Sequence, residues 1–118
     1  MNKREVGNLK EDAVCKVLEK HGYKVLERNY RVRQGEIDIV AKEDEYLVFV
    51  EVKYRKSLNA GDGFAAVDIR KQRQISKVAL FYLYSHKIAD DQAIRFDVAS
   101  VSDDKVKIIK NAFDYIAN

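Results

Sequence analysis

Two strand-like runs, Gly35-Glu-Ile-Asp-Ile-Val-Ala41 and Leu47-Val-Phe-Val-Glu-Val-Lys53, set the tightest limits on how this chain can fold. β-Branched and apolar residues dominate and alternate in both. The link from Lys42 to Glu45 is too short for a crossover, so strands over 36–41 and 46–54 are expected to pair as an antiparallel hairpin. Glu51 and Lys53 are two residues apart and project from one strand face with Leu47 and Phe49. Val48, Val50 and Val52 line the other face. Asp38, Glu51 and Lys53 thus put three charges on two adjacent apolar strands. Burying a charge costs several kcal/mol unless it is paired or metal-bound, so function is the expected reason to keep them.

The rest of the chain supplies helices and further strands. Residues 5–20 read as an amphipathic helix, with Leu9, Ala13, Val17 and Leu18 on one side and Asp12, Lys16 and Glu19 on the other. Gly22 is a natural stop. Tyr23 to Val32 alternates as a strand, with room for a bend at Arg28-Asn29-Tyr30. Ser57 to Gly63 is the clearest loop. A long helix is expected from about Ala65 to His86, with Val67, Gln74, Val78 and Phe81 near one face. Strands follow over 93–101, with Ile94, Phe96 and Val98 on one face, and from Val106 to Lys110. The tail, Asn111 to Asn118, suits a short helix or strand. The order α-β-β-β-α-β-β implies an α/β fold, a mixed central sheet flanked by helices.

A chain of 118 residues with 47% hydrophobic content suits one domain, 1–118. No apolar run is long enough for a membrane span or a signal peptide. The single cysteine, Cys15, excludes an intramolecular disulfide and a cysteine-based zinc site. A cytoplasmic protein is the expectation. From Lys53 to Lys77 the cations are Lys53, Arg55, Lys56, Arg70, Lys71, Arg73 and Lys77, against only Asp62 and Asp68. That patch suits a polyanion, and Arg55, Lys56, Arg70 and Lys71 are its candidate nucleic-acid contacts; a solvated helix face explains the same charges.

Hard divalent cations prefer carboxylate oxygens, and Mg²⁺ takes one or two from a protein together with water and substrate phosphate. Asp38 and Glu51, on paired strands, can face each other across a hairpin. Lys53 would then orient a water or help neutralise a phosphate. Glu11 sits at the edge of the first helix's apolar stripe, where it either leans toward the metal or pairs with a basic residue. Other polar residues have plainer explanations. Glu36 fits an exposed strand end, Asp97 a pairing with Arg95 or a loop amide, and His21 and His86 helix ends. Phe81, Tyr82 and Tyr84 fit core and rim packing.

The pattern Asp38…Glu51-Val-Lys53, in an α-β-β-β-α-β layout, resembles the PD-(D/E)xK nuclease core. Within that superfamily the chain most resembles the small bacterial YraN family, also called UPF0102, endonuclease-like proteins similar to archaeal Holliday junction resolvases. The resemblance rests on Gly7…Glu11, Gly22-Tyr23, Arg28-Asn29, Gly35-Glu-Ile-Asp38-Ile-Val-Ala, Val48-Phe-Val-Glu51-Val-Lys53-Tyr-Arg55, Ala66-Val67 with Lys71, and Arg95-Phe96-Asp97-Val98. It implies a restriction-endonuclease-like αβββαβ core with Glu11, Asp38, Glu51 and Lys53 in the catalytic positions. Asp38, Glu51 and Glu11 would hold Mg²⁺ or Mn²⁺, and Lys71 would contact phosphate. Lys10 replaces the usual second glycine of the opening motif, and Ile37 the superfamily's proline.

Two functions follow as expectations. The first is a metal-dependent endonuclease hydrolysing DNA phosphodiester bonds on branched or repair intermediates. The second is a catalytically silent nucleic-acid-binding accessory module in recombination, repair or DNA uptake. The expected partner is DNA and not a membrane, and the Val106–Lys110 edge offers a route to a homodimer.

Overall fold

The computed structural model describes residues 3–55, 67–103 and 105–117, with side chains of the first helix described from Lys10. The expected loop over 57–63, the candidate contact Lys56 and residues 65–66 lie outside the described residues.

The elements are α1 (Lys3–Lys20), β1 (Lys24–Val32), β2 (Gly35–Glu43), β3 (Tyr46–Tyr54), α2 (Ile69–Ser85), β4 (Ile94–Ser102) and β5 (Lys105–Phe113). The five strands form one sheet in the order β1-β2-β3-β4-β5. Neighbours are antiparallel except β3 and β4, which run parallel because α2 carries the chain back between them. Val14, Cys15 and Leu18 of α1 pack on Ile39, Val48, Val50 and Val52. Ile75, Val78, Ala79 and Tyr82 of α2 pack on Leu47, Phe49, Phe96 and Val98. Successive β3 residues therefore serve opposite helices, and the mixed sheet is covered on both faces. This is an α/β fold consistent with a restriction-endonuclease-like core.

Several boundaries and faces differ from expectation. The buried stripe of α1 is Val14, Cys15 and Leu18, whereas Ala13 is exposed. Three- and four-residue spacing then puts Glu11 in line with that stripe. Helix α2 begins at Ile69 because Asp68 is its N-cap and accepts the Lys71 amide at 2.8 Å. Its buried face is set by Ile75, Val78, Ala79 and Tyr82, and Phe81 points to solvent. The β2–β3 link shrinks to a turn at Asp44-Glu45, with Asp44 left-handed at φ 52°. The β5 strand continues through Asn111 to Phe113, beyond the expected Lys110. It is an edge strand with Lys105, Lys107 and Lys110 exposed, residues of the kind that discourage edge-to-edge pairing.

Candidate metal and phosphate site

The β2–β3 ladder stops at Ile39 and Val50, while β1 and β2 stay paired to Val32 and Gly35. Beyond that point β2 leaves β3, and the sheet forks. Ile37 packs in the α2 cluster and Ile39 in the α1 cluster, although residues two apart in a regular strand share a face. The backbone therefore makes a half-turn at Asp38. There the Asp38 Oδ2 accepts the Val52 amide at 2.7 Å, taking over from the backbone ladder. This bond fixes the carboxyl in the fork.

Glu51 is its neighbour on β3 and is only 7% exposed. Burial pushes the Asp38 carboxyl far above its usual range, and the hydrogen bond and charge of Glu51 push it further; the Val52 amide pulls back only partly. The Asp38 carboxyl therefore keeps its proton at neutral pH. The Lys71 ammonium lies 3.6 Å from the Glu51 Oε2. Lys53, half-buried, lies beside Ser100 in the parallel register. The Ser100 hydroxyl is buried with no hydrogen-bond partner among the described residues.

Glu11 approaches from α1, where its carboxylate pairs with Arg28 at 3.5 Å. Arg28 also bonds Asp12. No group of three or more histidine, cysteine, aspartate or glutamate side chains converges among the described residues. The carboxyls brought together are thus Asp38 and Glu51, with Lys71 beside them and Glu11 held by Arg28. One buried and one half-buried carboxyl match the small protein ligand set that Mg²⁺ uses beside water and phosphate.

Tyr54 is a site neighbour that the sequence did not single out. Burial raises its phenol, and the nearby charges of Glu11 and Asp38 raise it further. Lys10 sits 5.2 Å over its ring. The one available signal was position: Tyr54 follows Lys53 and so turns toward the α1 side.

Arg70 is exposed on the first turn of α2, and the Arg55 amide bonds Val101 O at 2.7 Å as β3 ends. Glu36 is engaged by Arg31 through bonds of 3.1 and 2.8 Å. Asp97, fully buried, is held by Arg95 at 2.8 Å, by the Tyr23 hydroxyl at 2.6 Å and by the Asn111 amide at 3.0 Å. His21 bonds Val17 O at the end of α1, and His86 caps α2. Tyr82 is core, while Tyr84 is exposed.

A model of Uncharacterised protein family UPF0102 matches residues 10–101. A UPF0102 protein of Lachnoclostridium phytofermentans is 46% identical over 114 residues, 97% of each chain. Another, from Fusobacterium nucleatum, is 48% identical over 111 residues, 94% of this chain and 92% of its own. A solved chain described as SSO0001 aligns with 90% of this chain and 50% of its own length, at 14% identity and a TM-score of 0.44. No described helix is long and apolar enough to cross a membrane. By the extent of the family match and the identity of these relatives, the chain belongs to the UPF0102 family.

Proposed function

We propose that this protein is a metal-dependent endonuclease that hydrolyses DNA phosphodiester bonds, with branched or repair intermediates as its substrates. The observation that carries the reading is the pairing of half-buried Asp38 with buried Glu51, aimed into a fork of the sheet beside Lys71. A structural ion pair would match each acid with a cation. Here Glu51 has Lys71, whereas Asp38 meets Glu51 and forms no ion pair among the described residues, an arrangement that is costly unless a proton or a cation joins the two acids.

Mg²⁺ or Mn²⁺ between Asp38 and Glu51 would supply an activated water and offset charge on the phosphate. Asp38 would have to give up its proton to hold the cation, and the Val52 amide would keep the carboxylate in place. Lys71, already beside Glu51, has the reach and charge to contact the substrate phosphate. Lys53 would support the attacking water. Glu11 would reach the same centre from α1 only once the Arg28 contact gave way.

The test is cleavage of end-labelled single-stranded, duplex, flap and four-way-junction DNA with Mg²⁺, Mn²⁺ or EDTA, for wild type and Asp38→Ala. Metal-dependent cutting that disappears in the variant is the expected result. If wild type binds these DNAs and cuts none, the chain is the silent binding module instead.

A further inference from the structure

The fork has a second arm. The β1–β2 hairpin turns at Arg33-Gln34, beyond the point where β2 has left β3. Left alone, a splayed two-stranded tip is only marginally stable. Here α2 holds it. Gln74 donates its Nε2 to Gln34 O at 3.0 Å. Its side chain also lies against Gly35, where an added Cβ would come within 2.9 Å. Gly35 has φ +151°, a conformation that L side chains rarely adopt, so both its backbone and its missing side chain suit this contact.

The clamp gathers like charges. Arg70 and Lys77 lie one turn either side of Gln74, on the same side of α2. Arg31 and Arg33 are exposed on the hairpin. Across 31–36 and 68–77 there are six cations; Arg31 is taken by Glu36 and Lys71 by Glu51, while Asp68 serves as the helix cap, which leaves Arg33, Arg70, Arg73 and Lys77. Holding an excess of positive charge against one clamp is unfavourable until a polyanion lies between the two surfaces.

We propose that the Arg33-Gln34 turn is a phosphate-binding arm for DNA. Arg33 contacts the backbone opposite the α2 cations, and Gln74 is the positioning residue that holds the arm at the mouth of the fork. This rests on the nuclease reading of the Asp38–Glu51 pair and extends it to a strand path running between the hairpin and α2.

Binding of fluorescent four-way-junction and duplex DNA, measured by anisotropy in EDTA across a salt series, tests the arm. Arg33→Ala is expected to weaken binding severalfold and to make the slope of log affinity against log salt shallower by about 0.9, one phosphate contact. Arg33→Lys restores that slope. Gln74→Ala weakens binding in the same direction, because the arm no longer stays in place. Lys20→Ala, exposed at the far end of α1, changes neither quantity. If wild type binds and Arg33→Ala matches it in affinity and slope, the arm is wrong and the nuclease reading stands. If wild type neither binds nor cuts DNA, both fall.

Discussion

The Lys71 ammonium and the Glu51 carboxylate face each other 3.6 Å apart, the one on the first turn of α2 and the other on β3. Lys71 is 37% exposed and Glu51 only 7%, so the carboxylate depends on this cation more than the cation depends on it. Lys71→Met keeps the aliphatic stem and removes the charge. Leaving Glu51 without its partner is expected to cost about 1–2 kcal/mol of stability, discounted for the exposed lysine. Mn²⁺ affinity, read by calorimetry, rises because the competing cation is gone. DNA affinity, read by anisotropy, falls because a phosphate contact is lost. Opposite changes in the two affinities separate this role from general destabilisation.

Asp38 sets a pH dependence of the opposite sign to that of an ordinary surface aspartate. Burial first, and Glu51 second, raise its carboxyl to about 8. The folded state therefore binds more protons than the unfolded state. The stability this contributes is complete below the ordinary aspartate range and is lost as pH rises through about 8. Asp38→Asn keeps an oxygen for the Val52 amide and needs no proton. In EDTA the variant is expected to exceed wild type by at least about 1 kcal/mol in urea unfolding above that pH, with the gap closing toward acid. Mn²⁺ stabilises wild type and leaves the variant unchanged. A wild type that stays the more stable in alkaline EDTA would sink the account of a protonated Asp38.

The Arg95 network is structural and predicts a large loss of stability. Arg95 holds Asp97 and Glu43 at 2.8 Å, and Lys110 holds Glu43 at 2.7 Å, joining β2, β4 and β5. Arg95→Ala leaves Asp97 charged and fully buried, a change worth about 3–5 kcal/mol. Burial pushes Glu43 up, but Lys110 and Arg95 outweigh it and hold the carboxyl below its usual range. That contribution is present above the unfolded value of about 4.3 and is lost as pH falls through the lower folded value. Glu43→Gln should lose stability at pH 7 and converge on wild type in strong acid, measured by urea midpoints.

Much of this was legible because a strand's period is fixed. Alternation alone separated Leu47, Phe49, Glu51 and Lys53 from Val48, Val50 and Val52; Leu47, Phe49 and Glu51 do meet α2, and the three valines pack with α1. The pairing of Asp97 with Arg95 was also readable, since a buried carboxylate needs a partner; the amide that joins it is Asn111 of β5 rather than a loop residue. The helix faces were harder. Ala13, Val14, Cys15, Val17 and Leu18 allow two apolar stripes, and only the position of the sheet chooses Val14 over Ala13. The half-turn at Asp38 left no local mark, because Ile37 and Ile39 look equivalent in sequence and end on opposite faces. It was set by the divergence of β2 from β3, a tertiary event.

Gly35 and Gln74 give the last prediction, because they separate a backbone cost from a packing cost. Gly35→Ala places a Cβ 2.9 Å from the Gln74 side chain and at φ +151°. The backbone term is about 1–3 kcal/mol on its own, and the clash adds to it only as far as Gln74 fails to move. Gln74→Ala removes the obstruction but also the 3.0 Å bond to Gln34 O. The double variant should therefore recover the clash and retain the backbone cost, so its loss is smaller than the sum of the single losses. Coupling of this sign in a double-mutant cycle on urea unfolding is the expected result. Strict additivity would mean that Gln74 does not press on Gly35 and that the hairpin is not clamped by α2.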